Sequence, residues 1–424
     1  MLPSLPARGA APAPLRQWLR SQPPLLLTLP GACRCRSPTR RLHRPGALRE
    51  WHPISLGAKV VDEVVRRSGG SGEHVEDVIV GCVSQVGAQA GNIGRNIVMA
   101  SGLPETVPGT AVDRQCGSSQ QAIHFAAQAV MSGTMDVTIA AGVEHMTGVP
   151  IGANVADAVA AGHGVPSSDE IKEKYGAALE ARGQKFFSQF EGAEIVAEKF
   201  NLSREDLDSF AVKSHERAVN ATENGYFDRE ILPLEGLDKE GNTITHSKDE
   251  GIRPGTNMEG LAKLKDLKGM NSKGKLQGIV TAGTSSQICD GASAILIANE
   301  AGLKKMGVKP RAKIIGLSVA AADPVMMLSG PIPATQNMLE RMDMKIDDFD
   351  LYEVNEAFAP VPLAWAQAVG ADKEKLNVNG GAMALGHPLG GTGCKLMTTL
   401  LHELERRGDK LGIQVRILYS RLLC

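Results

Sequence analysis

The sequence predicts an α/β fold built as two halves that flank a long insertion. Three observations carry this reading. Short apolar, strand-like runs alternate with helical patterns in two separate stretches. The chain between them, about residues 150–278, turns polar and glycine-rich. Aromatic residues are scarce at 4%, whereas glycine reaches 47 of 424 residues. Strands alternating with helices argue for sheets covered on both faces.

In chain order, the first half begins near Gly46. Val60, Val61, Val64 and Val65 recur at helical spacing up to Gly69, with Ser55 as the expected N-cap. Asp77–Val83 is a short apolar strand. Thr110–Gln115 reads as a second strand that runs straight into Cys116. From Gly117 to Met131 the pattern is helical and alanine-rich, and Val137–Ala141 is another buried strand. Within the insertion, Phe190–Lys199 and Leu207–Asn220 read as amphipathic helices. An excursion of this length fits a cover over a binding site. Sheet-like signals return at Gly278–Ala282 and Ala292–Ala298. A second alternation then runs from Ala312 to Glu405, with strands expected at Phe349–Val354 and Lys375–Val378. The expected divisions are 1–45 outside the fold, 46–302 for the first half with its insertion, and 309–424 for the second, atypical after 412.

Residues 1–49 contain nine arginines, no lysine and no acidic residue, and prolines interrupt them throughout. That composition is either an organelle transit peptide, which implies a mitochondrial location, or a segment unrelated to the fold. Without a transit peptide the expected location is cytoplasmic or peroxisomal. The prolines argue against any helix or strand here. A formal net charge of −1 gives no general reason to expect nucleic acid as a partner. No apolar run reaches the roughly 18 residues of a membrane helix. The seven cysteines are odd in number and irregular in spacing, which reads as free thiols rather than a disulfide framework or metal site.

Three positions stand out chemically. Cys116 lies in Val-Asp-Arg-Gln-Cys-Gly-Ser-Ser, between a strand and a helix. The unpaired first-turn amides of that helix favour a thiolate. A buried structural cysteine is the plain alternative. His387 lies in Gly-Gly-Ala-Met-Ala-Leu-Gly-His-Pro-Leu-Gly, a stretch too rich in glycine for ordinary helix or strand, and a histidine held there can activate a thiol. Asn355, in Asn-Glu-Ala-Phe after an apolar strand, is either an oxyanion donor or a simple N-cap. Thiol, base and amide together also allow a Cys-His-Asn peptidase.

Taken together, Cys-Gly-Ser-Ser, Asn-Glu-Ala-Phe, the His387 stretch and Thr281-Ala-Gly-Thr-Ser-Ser-Gln-Ile-Cys-Asp-Gly291, in their spacing, resemble the thiolase family over about residues 46–412. The resemblance implies two αβαβα layered halves with a loop domain inserted in the first. It implies an acyl-CoA:acetyl-CoA acyltransferase of lipid metabolism and fatty acid beta-oxidation. Such an enzyme cleaves 3-ketoacyl-CoA with CoA, or condenses acetyl-CoA in reverse, through an acyl-thioester on Cys116. It further implies that His387 polarises Cys116 and that Asn355 holds a water of the oxyanion hole. Ser286 is placed near the pantetheine arm, with Ala357 and Phe358 lining the pocket. CoA counts as a substrate, so no cofactor is implied. The partners are acyl-CoA and CoA, without nucleic acid or a membrane span, in a homodimer or homotetramer. Phe190 and Glu191 fall where some relatives carry a pantetheine-contacting His-Met pair, and Lys263, Lys265 and Lys268 are candidates for the CoA phosphates. The family's second catalytic cysteine, in a Cys-x-Gly turn, has no counterpart, since neither Cys394 nor Cys424 stands in that motif. This departure leaves an alternative, a catalytically impaired acyl-CoA binding protein. A ketoacyl synthase shares the nucleophile but fits the other motifs less well.

Overall fold

The computed structural model describes residues 46–268 and 278–416, together with the backbone of Leu26–Thr28. The first half is one five-stranded sheet. Its strands are β1 (Leu26–Thr28), β2 (Asp77–Gly81), β3 (Gly109–Val112), β4 (Val137–His145) and β7 (Asp290–Ala298), in the order β1-β7-β4-β2-β3. β2, β3 and β4 are parallel, and β7 runs antiparallel to both β4 and β1. Period-two alternation divides the strand side chains between two layers of helix. On one face Val78, Val80, Ile139 and Leu296 meet α1 (Pro53–Ser68) and α2 (Ile93–Ala100). On the other, Ile79, Ala140, Ile295 and Ile297 meet α3 (Ser118–Met131).

Two expectations change here. Leu26–Thr28 does form an edge strand, because Pro24 and Pro30 bracket these three residues without interrupting them. The rest of 1–45 lies outside the described residues. The first helix is capped by His52, three residues before the expected Ser55, with Pro53 at its first position. It ends as expected at Gly69, which adopts φ 79°.

Between β4 and β7 the chain makes its excursion through α4 (Ala153–Ala160), α5 (Asp169–Glu180), α6 (Gln189–Lys199), α7 (Arg204–Glu223), the hairpin β5 (Leu234–Leu237) and β6 (Thr243–His246), and α8 (Met258–Ala262). Val196, Leu207, Ala211 and Leu261 of this insertion share a core with Ala357, Phe358 and Met383 of the second half. The insertion therefore covers the segments that carry Asn355 and His387. At Gly278–Ala282 there is no strand beyond a single bridge. The Thr281 side chain caps a tight turn over Ala282–Thr284, which ends the extended run.

After α9 (Glu300–Met306), the second half contains α10 (Pro331–Met342), β8 (Leu351–Val354), α11 (Pro360–Val369), α12 (Ala382–Leu385), α13 (Thr392–Arg407) and β9 (Gly412–Val415). β8 and β9 pair in parallel. The strand expected at Lys375–Val378 reduces to one bridge between Tyr352 and Leu376. Asn377 turns to φ 46° and stops the strand, and its side-chain amide takes over the pairing. It accepts from Val354 N and donates to Val354 O, both at 2.8 Å. On its other side β9 meets a cavity of about 350 Å³, lined by Ile314, Leu317, Met338, Met397, Leu401 and Arg416 among others. Helices α3 and α13 pack together between the two sheets, while α10 and α11 cover the outer face of β8. The result is an α-β-α-β-α layering.

Candidate active site

Cys116 sits in the turn between β3 and α3. The turn is fixed from both sides. Gly117 N donates to Arg114 O and Ser118 N donates to Gln115 O, each at 3.0 Å, and the Ser118 hydroxyl accepts from Arg114 N. Gln115 is forced to φ 49°, a left-handed conformation costly for a side-chain-bearing residue and often retained where it aims a functional group. Cys116 follows it, half-buried, while Cys82, Cys289 and Cys394 are fully covered. It packs against the cluster of Val83, Met146 and Leu389.

His387 is 2% exposed and its backbone N donates to Gln287 O at 3.0 Å. Its Nδ1 lies 2.7 Å from Thr392 Oγ1, and that hydroxyl donates its own proton to Pro388 O at 2.7 Å. Thr392 can then only accept from the ring, which places the imidazole proton on Nδ1 and the lone pair on Nε2. Asn355 Nδ2 faces that lone pair at 3.4 Å. Burial, with Arg416 and Lys395 nearby, holds the His387 pKa well below its ordinary value, so the ring is neutral near pH 7. Asn355 is itself 1% exposed. It is not an N-cap, because the next helix starts only at Pro360. Its Oδ1 is buried without a hydrogen-bond partner among the described residues, an acceptor available to a water or substrate donor.

The two halves are joined backbone to backbone. A Cβ on Gly393 would collide with Gln120 N, and one on Gly142 with Gly390 O. Only glycine permits this approach. Glu144 secures the join. Its buried carboxylate accepts from Val83 N, Ser84 N and Gln89 Nε2 at 3.0 Å in the first half and from Gly390 N at 2.9 Å in the second. Lys395 holds the turn ahead of His387 by donating to Leu385 O and Gly386 O. Glu356 ties the Asn-Glu-Ala-Phe segment to Ser214 of α7 and to Asn377. The sequence reading missed Thr392, Glu144, Lys395 and Glu356. Glu144 did leave a sign, an acid at the end of the otherwise apolar run Val137–Val143.

Of the other expected residues, Ser286 is half-buried and its N donates to Ala357 O at 2.9 Å. Ala357 and Phe358 are each 4% exposed, and Phe358 packs edge-on against Phe190 with ring centroids 5.7 Å apart. Glu191 is committed to Arg182 and Lys268, and Lys263 pairs with Glu259. Lys265 is exposed. Cys394 is a structural thiol. Burial raises its pKa, and its Sγ donates to Ala140 O. Cys424 lies outside the described residues. Among the described residues no helix is long and apolar enough to cross a membrane.

A half-buried thiol ahead of α3 and a buried imidazole–amide pair in the second half are the groups used by one class of enzyme, acyltransferases working through a cysteine thioester. Comparison with known proteins narrows the class. The family model for the thiolase N-terminal domain matches residues 35–301, and that for the C-terminal domain matches 308–416. The chain is 46% identical to the steroid 3-ketoacyl-CoA thiolase FadA6 of Mycobacterium tuberculosis, over 88% of this chain and 87% of the relative. It is 39% identical to a 3-ketoacyl-CoA thiolase of Aliivibrio fischeri, over 87% and 90%. Among solved structures, human mitochondrial 3-ketoacyl-CoA thiolase aligns with a TM-score of 0.78 at 32% identity, covering 93% of this chain and 96% of that one. The acetyl-CoA acetyltransferase of Bacillus anthracis aligns with the same TM-score at 33% identity, over 94% and 96%. The chain belongs to the thiolase family and is an acyltransferase.

Proposed function

We propose that the protein cleaves 3-ketoacyl-CoA with CoA, and in the reverse direction joins two acetyl-CoA molecules, through an acyl-thioester on Cys116. The packing of Cys116 against the cluster that contains Leu389, two residues from His387, supports this reading most directly. The Cys116 sulfur attacks the 3-keto carbon and the C2–C3 bond breaks. Its electron pair leaves on the acetyl-CoA carbanion, which takes up a proton from water. The thiolate of CoA then attacks the thioester, releasing the shortened acyl-CoA and restoring Cys116. His387 Nε2 is the base that draws the proton from the CoA thiol. Asn355 orients the water of the oxyanion hole through its unpaired Oδ1. Ser286, Ala357 and Phe358, lying beside one another, form the wall for the pantetheine arm and acyl group. CoA and acyl-CoA are thus the partners, no cofactor takes part, and the working assembly is a homodimer or homotetramer.

The experiment is thiolysis of acetoacetyl-CoA by the purified full chain. Acetyl-CoA is expected, together with an acyl adduct on the Cys116 peptide by mass spectrometry, and both vanish in Cys116→Ala. Turnover that survives Cys116→Ala overturns the reading. No observation favours the impaired, binding-only alternative. It would regain ground only if the chain bound acyl-CoA without turnover.

A further inference from the structure

Several cationic or basic groups lie near the site. Among them His387 is neutral and Lys395 is engaged by carbonyls. Another is Arg416. The register of the second sheet fixes its place. Val354 of β8 lies opposite Val415 of β9, and Asn355 N donates to Val415 O at 3.1 Å, so Arg416 emerges beside Asn355 at the carboxyl end of the strands. Two residues earlier, Gln414 Nε2 donates to Gly393 O at 2.7 Å, while Gln120 of α3 donates to Gln414 O. The end of β9 is therefore clamped between the first turn of Cys116's own helix and that of the helix following His387.

Arg416 is 2% exposed, and none of its three guanidinium nitrogens has a hydrogen-bond partner among the described residues. Burial pulls its pKa to about 10, which leaves it cationic at neutral pH. A buried, unpaired cation is unfavourable by several kcal/mol, so such a group needs an anion nearby. The clamp brings this end of β9 to the first turn of the helix that follows Cys116 and to the first turn of α13, which carries Cys394, so these are the two thiols placed to supply negative charge. Cys394 is excluded, because its thiol is wholly buried and donates to a carbonyl. Cys116, half-buried, remains.

We propose that Arg416 is a positioning residue, a buried guanidinium that holds Cys116 as a thiolate in the free enzyme. The step is an ionisation. The S–H bond breaks, its electron pair stays on sulfur, the proton passes to bulk water, and nothing is oxidised or reduced. An arginine cannot move protons near neutral pH, so its action is electrostatic. The proposal rests on Cys116 being the nucleophile, but its test does not require turnover.

The test is the pH dependence of iodoacetamide alkylation at Cys116, followed on the Cys116 peptide by mass spectrometry in the full chain. Other titratable or charged groups flank this position. They are Asp113 and Arg114 on its own turn, His124 on α3, and Cys82 next to Val83. Glu144 and His145 precede Met146, His387 precedes Leu389, and Cys394 and Lys395 lie on α13. Substitutions at Arg416 isolate its share from theirs. In the parent chain, alkylation is expected to have its midpoint at least about one pH unit below the ordinary thiol value near 8.5. Arg416→Met should move the midpoint up by about one unit and slow alkylation at pH 7 about tenfold, while Arg416→Lys recovers most of the loss. A midpoint unchanged in a folded Arg416→Met overturns the proposal. So does an ordinary midpoint in the parent chain, a result that needs no variant. A shifted midpoint with no acetyl-CoA formed would uphold Arg416 while removing the proposed thiolysis.

Discussion

The two sheets supply the same site from very different foundations. The first has five strands, and β4 and β7 at its centre are buried at every position. Among the described residues the second has two strands and a bridge, and beyond β9 lies the 350 Å³ cavity. Cys116 stands on the deep sheet. Asn355, His387 and Arg416 stand on the shallow one. Rigidity is therefore concentrated under Cys116, while the segments that carry Asn355, His387 and Arg416 depend on glycine contacts and buried polar links across the seam.

The sharpest test of this contrast is a matched pair of core truncations. Ile139→Ala in β4 should cost about 4 kcal/mol, because the surrounding layers cannot close on the void. Ile413→Ala in β9 should cost about 2 kcal/mol, since one side of its strand already faces open space. Denaturant-unfolding curves of both variants measure the difference, and equal losses would break the comparison.

A smaller effect separates function from stability within the shallow half. Thr392→Val preserves shape but removes the acceptor that fixes the His387 tautomer. One buried hydrogen bond to the base is worth about 1–3 kcal/mol, so kcat/KM should fall about 10–100-fold. The melting temperature should move far less. Matching losses in both quantities would show that Thr392 serves packing alone.

A further effect is set by pH. Burial lowers the pKa values of His124, His215 and His402 to about 4. The unfolded chain takes up these protons near 6.5 and the folded chain only near 4, so the stability is complete above 6.5 and is lost as pH falls from 6.5 toward 4. Each residue contributes a slope of at most about 1.4 kcal/mol per pH unit in that window. His124 lines the cavity beside β9. If His124→Gln leaves the slope of the denaturation midpoint unchanged, the cavity is wet in solution and the contrast between the sheets is larger than side-chain burial indicates.

Much of this was legible in the residues. Strands at Asp77, Thr110 and Val137, the helix after Gly117 and both insertion helices follow from local periodicity, which tertiary packing reinforces. Cys116, Asn355 and His387 also stood out, and the structure gathers the latter two directly. What local pattern could not show depends on partners distant in sequence. The strand expected at Lys375–Val378 fails because Asn377 substitutes its side chain for backbone pairing. The strand at Leu26–Thr28 exists because β7, some 270 residues later, offers an edge. Thr392 and Arg416 have no motif of their own. Their importance arises from what they face.

The glycine seam carries a further implication. Where main chain touches main chain, no rotamers are free to reshuffle and no side-chain layer can slide, so Gly142 against Gly390 and Gly393 against Gln120 behave as a weld and leave no hinge between the halves. An enzyme joined in this way cannot open by parting its halves to admit a bulky thioester. Any opening that admits substrate must come from elements other than this seam, and natural variation in substrate choice should spare the glycines that form it.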